Sequence, residues 1–166
     1  MKSRQRHAAT HTPRLYLSRR AKVWIYAALG LTWGSGVLWL ILHYFFTRQG
    51  EFGDEPPALQ HPLLMLHGAC AFAMLWLAGW LWNAHVQPWW SSQRRRGSGV
   101  VLIALGAVLI VSGWLLYYAD GDDVRRWTSV VHWGIGLALA VPLLVHALRA
   151  GRYRRQAEMP RIHRKP

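Results

Sequence analysis

Four long apolar runs dominate this chain, at roughly Val23–Phe46, Pro62–His85, Ser98–Ala119 and Trp127–Leu148, and none contains an Asp, Glu, Lys or Arg. Each is about as long as a helix that crosses a bilayer, which takes about 20 residues. In hydrocarbon every backbone amide must find its partner within the protein, and a helix satisfies that demand locally. The expectation is an all-α membrane protein, a four-helix up-down-up-down transmembrane bundle formed by residues 22–149. Basic tails flank it at residues 1–21 and 150–166. A chain of 166 residues leaves no room for a soluble catalytic domain beside such a bundle.

The formal net charge is +13, and its distribution decides what it means. Of the 20 Lys and Arg, seven lie in the N-terminal tail through Lys22, three form Arg94–Arg96, and seven follow the last run from Arg149 to Lys165. The other two loops hold only Arg48, Arg125 and Arg126, together with six of the seven acids. That asymmetry is the positive-inside pattern, so both termini and the Arg94 loop are expected in the cytoplasm. The setting is then the bacterial inner (cytoplasmic) membrane, crossed several times. Charges that flank membrane spans serve topology and attraction to anionic lipid, so membrane lipid and not nucleic acid is the expected partner. The first run is too long for a signal-peptide core and lacks a small-residue cleavage pattern, which reads as an uncleaved anchor. The lone Cys70 lies inside the second run and cannot form an internal disulfide.

The first loop carries Gly50, Gly53, Pro56 and Pro57, which interrupt regular structure. Pro88 is expected to stop the second span, with Trp89 and Trp90 at the membrane interface. The short connection ADGDDVRR makes the third and fourth spans antiparallel neighbours. Up-down order then makes the second and fourth spans parallel. No internal repeat is evident. Among the eleven tryptophans, Trp24, Trp89, Trp90 and Trp127 suit interfacial belts. Trp33, Trp39, Trp76, Trp80, Trp114 and Trp133 sit deeper, as packing groups rather than a lining for a flat cofactor.

The informative residues are histidines. His7, His11 and His163 fall in the tails, leaving His43, His61, His67, His85, His132 and His146. His67 and His85 are eighteen residues apart, and at about 100° per residue that step returns to the same helix face. His132 and His146 are fourteen apart, which returns to within about 40°. Matched by depth, His67 faces His132 near the outer side and His85 faces His146 near the inner side. Two imidazoles facing across a gap in a bundle suit axial ligation of haem iron. No carboxylate accompanies them at depth, which disfavours a proton relay or a cation carrier. Gly34, Gly36, Gly106 and Gly113 would give clearance to a wide flat group, although close helix packing selects the same residues. One tension remains, because eighteen residues span about 27 Å of helix and fourteen about 21 Å. Tilt, or a bend at Pro142, would reconcile them. Otherwise one of the four is not a ligand, with His43 the alternative outer ligand and His61 a weaker one.

This constellation resembles the four-helix di-haem membrane cytochromes b, such as the membrane subunits of formate dehydrogenase and nickel–iron hydrogenase and the small bacterial b-type cytochromes. The spacing of His132 and His146 matches theirs, and His67-Gly68 sits where they carry a second-helix ligand. Those families commonly take the inner partner from the start of helix one, where this chain offers Trp24 and Tyr26. His85 substitutes here, a pairing nearer to the cytochrome b of respiratory quinol complexes.

The expected cofactors are two haem b groups, with quinone as a further bound molecule. The expected function is electron transport between a redox protein at the outer face (a cytochrome c or flavoprotein) and quinone or a partner at the inner face. The chain would act alone or within a larger membrane complex. Arg125 and Arg126 are candidates for the outer haem propionates, against pairing with Asp122 and Asp123. Arg149 and Arg94–Arg96 are the inner counterparts. Two other classes stay open. One is an oxidoreductase acting on quinone or superoxide, with His43, Tyr44, Tyr117 or Tyr118 lining its pocket. The other is a haem-free accessory subunit whose histidines bridge helices.

Overall fold

The computed structural model describes residues 17–51, 53–91 and 97–158. Helix α1 covers Arg19–Phe45, and its N-terminus is capped by Ser18, whose hydroxyl accepts from the Ala21 amide at 3.2 Å. A small antiparallel hairpin follows, with β1 at Arg48–Gly50 and β2 at Gly53–Glu55, and Arg48 stands opposite Glu55. Gly53 takes φ +118°, a left-handed conformation that glycine adopts without a steric penalty. The loop expected from Gly50, Gly53, Pro56 and Pro57 therefore contains the only strands among the described residues.

Helix α2 covers Gln60–Leu81 and carries Pro62 in its first turn, where a missing amide hydrogen leaves no helical bond unmade. The membrane-crossing segment ends at Val86, just before Pro88, but the helix does not. It passes through a π turn at Trp82–Val86, in which the Gln87 amide bonds the Trp82 carbonyl, and continues as helix α3 over Gln87–Ser91. Pro88 has no amide hydrogen, and its ring crowds the carbonyl four residues back. A widened turn accommodates both, so the proline reshapes the helix instead of ending it.

Helix α4 covers Gly97–Tyr118, and a tight turn at Gly121 (φ +94°) leads into α5 at Asp122–Ala138. Asp122 and Asp123 in the first turn of α5 complement its N-terminal dipole. A one-residue interruption at Leu139 separates α5 from α6, Ala140–Glu158. Pro142 lies four residues beyond Ala138 and cannot donate to its carbonyl, which accounts for the break. Residues 150–158, expected to belong to a tail, continue α6 as helix.

Four segments are long and apolar enough to cross a membrane: Arg19–Phe45, Gln60–Val86, Gly97–Tyr118 and Asp122–Arg152. Among the described residues only Ile25, Ser35, Gln60 and Ser112 are buried, and three of these are polar. Large apolar side chains point outward, Phe72 with 78% and Trp76 with 73% of its surface exposed. Apolar surface gains little from packing on itself when lipid is equally apolar, so helices in hydrocarbon associate through close contacts and polar bonds. The same logic makes a charge on the outward face of α4 costly. Ile110, 51% exposed near the middle of α4, is expected as Ile110→Arg to cost about 2.5–3.5 kcal/mol of insertion free energy. A glycosylation-reporter assay of α4 should show a clear fall in the inserted fraction.

Candidate functional site

Two pairs of imidazoles join the second and fourth spans. The rings of His67 on α2 and His132 on α5 have centroids 6.2 Å apart and planes at 83°. His85 in the π turn and His146 on α6 repeat this, at 6.2 Å and 90°. The first pair lies toward the hairpin end of the molecule and the second toward the opposite end.

Three of the four rings are held by a helix beside them. His67 Nδ1 lies 2.9 Å from the Thr32 carbonyl oxygen and 3.3 Å from Ser35 Oγ on α1. A carbonyl only accepts, so Nδ1 carries the proton and Nε2 is left with its lone pair. His132 Nδ1 lies 2.9 Å from Ser112 Oγ on α4. The single hydrogen of Ser112 is already given to the Val108 carbonyl at 2.7 Å, so the serine oxygen accepts from Nδ1–H. His132 therefore has the same tautomer as His67. His146 Nδ1 lies 3.1 Å from Ser98 Oγ, again on α4.

Glycines let the rings approach this closely. A Cβ on Gly36 would lie 3.0 Å from His67 Cε1, and one on Gly113 would lie 3.3 Å from His132 Cε1. One on Gly99 would lie 3.9 Å from His146 Cε1. Of the four glycines expected to give clearance, Gly36 and Gly113 thus face imidazoles, whereas Gly34 and Gly106 have nothing within 4 Å.

At the hairpin end the Nδ1 bonds leave a lone pair on each Nε2, so neither ring can donate an N–H from Nε2 to the other. With ring bonds of about 1.35 Å, imidazole nitrogens lie about 1.15 Å from the ring centre. Nitrogens placed on the line between centres 6.2 Å apart would be separated by about 3.9 Å. That is too long for an N–H···N hydrogen bond, which needs about 3 Å. It is close to two metal–imidazole bonds of about 2.0–2.1 Å each. No group of three or more His, Cys, Asp or Glu suited to a metal ion occurs among the described residues. A bare ion such as zinc draws about three or four ligands from the protein. A pair of facing imidazoles fits a metal whose remaining positions are filled by its own macrocycle, as in haem.

The other candidates lie elsewhere. His43 is exposed, its ring stacked on Trp39 at 4.8 Å, with Nδ1 2.9 Å from Gln60 Nε2. His61 is exposed in the first turn of α2. Arg126 forms an exposed ion pair with Asp123 at 3.3 Å, and Arg125 is also exposed. Tyr44, Tyr117 and Tyr118 are exposed on the apolar surface. His7, His11, Arg94–Arg96 and His163 lie outside the described residues. The buried atoms Trp133 Nε1 and Gln60 Oε1 have no hydrogen-bond partner among the described residues.

Thr32, Ser35, Ser98 and Ser112 were not singled out by sequence reasoning, yet a signal existed. Ser98 and Ser112 are fourteen residues apart, as are His132 and His146. The bonds pair Ser112 with His132 and Ser98 with His146, ascending one helix while descending the other.

Comparisons with protein-family models, with curated proteins and with solved structures give no match to this chain. The tautomers are directly measurable. Nitrogen-15 NMR of histidine-labelled protein freed of any bound group should show the Nδ1–H form for two resonances, one lost in His67→Leu and the other in His132→Leu. A proton on Nε2 of either would contradict the geometry.

Proposed function

We propose that this chain is a di-haem b-type cytochrome that carries electrons across the bacterial inner membrane, its four spans running up-down-up-down with both termini in the cytoplasm. The observation that carries this reading is the duplicated histidine pair, at 6.2 Å in both places. At the hairpin end the tethers leave both Nε2 lone pairs for a common metal. The resemblance to the four-helix di-haem cytochromes b points the same way.

In this reading His67 and His132 hold the outer haem, and His85 and His146 the inner one. Bound haem supplies one-electron chemistry, its iron cycling between the ferric and ferrous states. The residues of this chain do the rest. Thr32, Ser35 and Ser112 keep protons on the Nδ1 atoms, and His67, His85, His132 and His146 would hold the two groups from both sides and exclude a small oxidant. The Trp133 indole N–H, buried without an acceptor beside His132, is a donor suited to a haem propionate. Arg126 is engaged with Asp123, which makes Trp133 the better propionate partner. Arg125, exposed and near the same end, can meet a propionate at the surface. The outer redox partner would be a cytochrome c or flavoprotein, and the inner one quinone or another component of a respiratory chain.

A second reading, an oxidoreductase acting on quinone or superoxide, draws support from one feature. The buried Oε1 of Gln60 lacks a donor beside His43, and a hydroquinone O–H would provide it. Steady-state turnover of the purified protein with a quinol analogue separates this from simple conduction.

The oxidised-minus-reduced visible spectrum should show low-spin haem at a ratio of two per chain. A colourless protein would leave the haem-free accessory subunit as the remaining reading. His146→Leu is expected to remove one haem and spare the other. The ring planes at 83° and 90° add a sharper expectation. Perpendicular imidazoles donate into different iron dπ orbitals and leave those orbitals nearly equal in energy. Both ferric haems should therefore give strongly anisotropic low-spin EPR signals, each dominated by one large g value. Three-line rhombic spectra, the mark of parallel rings, would count against the site.

A further inference from the structure

The Ser-Gly dipeptide occurs three times in the 166 residues, at Ser35-Gly36, Ser98-Gly99 and Ser112-Gly113. All three occurrences lie against a paired histidine on another helix. We propose that these dipeptides are positioning elements that fix the rotation of the ligand imidazoles, so that the angle between ligand planes is set by the chain before haem binds. This inference rests on the haem reading above.

The second side-chain torsion of histidine is broad and only roughly two-fold, so an imidazole on a helix in apolar surroundings does not by itself select one ring angle. Two restraints do. The glycine removes the Cβ that would hold the ring away, so Cε1 of His67 and of His132 rests directly against the backbone of the neighbouring helix. The serine then supplies a fixed acceptor, at 2.9 Å for His132 and, for His67, at 3.3 Å beside the nearer Thr32 carbonyl at 2.9 Å. Its hydroxyl proton is tied to its own helix, Ser35 to the Thr32 carbonyl at 3.0 Å and Ser112 to the Val108 carbonyl at 2.7 Å. The oxygen is thereby oriented, and the lone pair that meets Nδ1–H cannot swing. A wall at Cε1 and a tether at Nδ1 define the ring plane. The walls belong to different helices, α1 for His67 and α4 for His132, which gives each ring of the pair its own direction.

A hydrogen bond at Nδ1 also makes Nε2 more electron-donating and tunes the metal that it holds. The dipeptides therefore act on two observables that a mere packing role would leave alone, the EPR anisotropy and the midpoint potential. They also sort by haem. Ser35 and Ser112 serve the two ligands of one haem, and Ser98 serves a ligand of the other.

The test uses haem-loaded full-length protein carrying Ser112→Ala, Ser35→Ala, Ser98→Ala or Ser112→Thr. Ser112→Ala and Ser35→Ala should each move the same large-g signal to a lower value and raise the same midpoint potential, Ser35→Ala by less because the Thr32 carbonyl still holds His67, and both should leave the other haem unmoved. Ser98→Ala should move the other signal, and Ser112→Thr, which retains the hydroxyl, should resemble the parent. Should Ser112→Ala not accumulate, Gly36→Ala probes the same haem, because the added Cβ would lie 3.0 Å from His67 Cε1. Full haem loading with both signals unchanged overturns the positioning role, and so do shifts shared equally by both haems. A parent protein without haem overturns the haem reading itself. A parent with two low-spin haems that ignore the serines leaves that reading standing and removes only this inference.

Discussion

An imidazole inside hydrocarbon has two nitrogens to satisfy and no water to help. Leaving one buried polar group unpaired costs about 1–3 kcal/mol in proteins, and in lipid no solvent is near to soften that. The structure answers half of the demand with neighbouring helices, through Thr32, Ser35, Ser98 and Ser112. The paired rings lie 6.2 Å apart across the bundle at both levels. Lateral ties through Nδ1 thus join neighbouring helices at both levels.

This accounts for a bundle with so little apolar core. Ile25 is the only buried apolar residue among those described, while Ser35, Ser112 and Gln60 are buried as well. In water such an inventory would not hold four helices together. In lipid it serves, because directional bonds and small residues replace hydrophobic burial as the source of register. The match between the Ser98–Ser112 step and the His132–His146 step makes the point concrete. A slip of one residue between α4 and the fourth span would break both tethers together.

The spans were legible in the sequence because hydrocarbon tolerates so few alternatives, and the paired histidines because eighteen and fourteen residues recur on helix faces. Three features were not legible, each for a local reason. Pro88 reads as a helix stop, yet a π turn at Trp82–Val86 carries the helix through it. That widened turn takes up one residue, about 1.5 Å, and so part of the mismatch between the two histidine spacings. The hairpin at residues 48–55 was hidden because its strands are three residues each and rich in turn formers. The serine tethers were overlooked because serine in an apolar run is ordinary, and its meaning lies in a register that only the partner helix reveals. His43 stands apart for a geometric reason, since it is held on α1 by Trp39 and Gln60 while His67 occupies the place opposite His132.

The two histidine levels have an energetic consequence for the proposed carrier. Fourteen residues of the fourth span separate them, about 21 Å along a helix axis, or roughly two-thirds of a hydrocarbon core of about 30 Å. An elementary charge that crosses the whole membrane exchanges about 2.3 kcal/mol for every 100 mV of transmembrane voltage. An electron hopping between the levels would therefore feel about 1.6 kcal/mol of that per 100 mV. With the cytoplasm negative, the field drives the electron outward and opposes its inward passage, so the energised state of the cell would bias the direction of flow without any moving part.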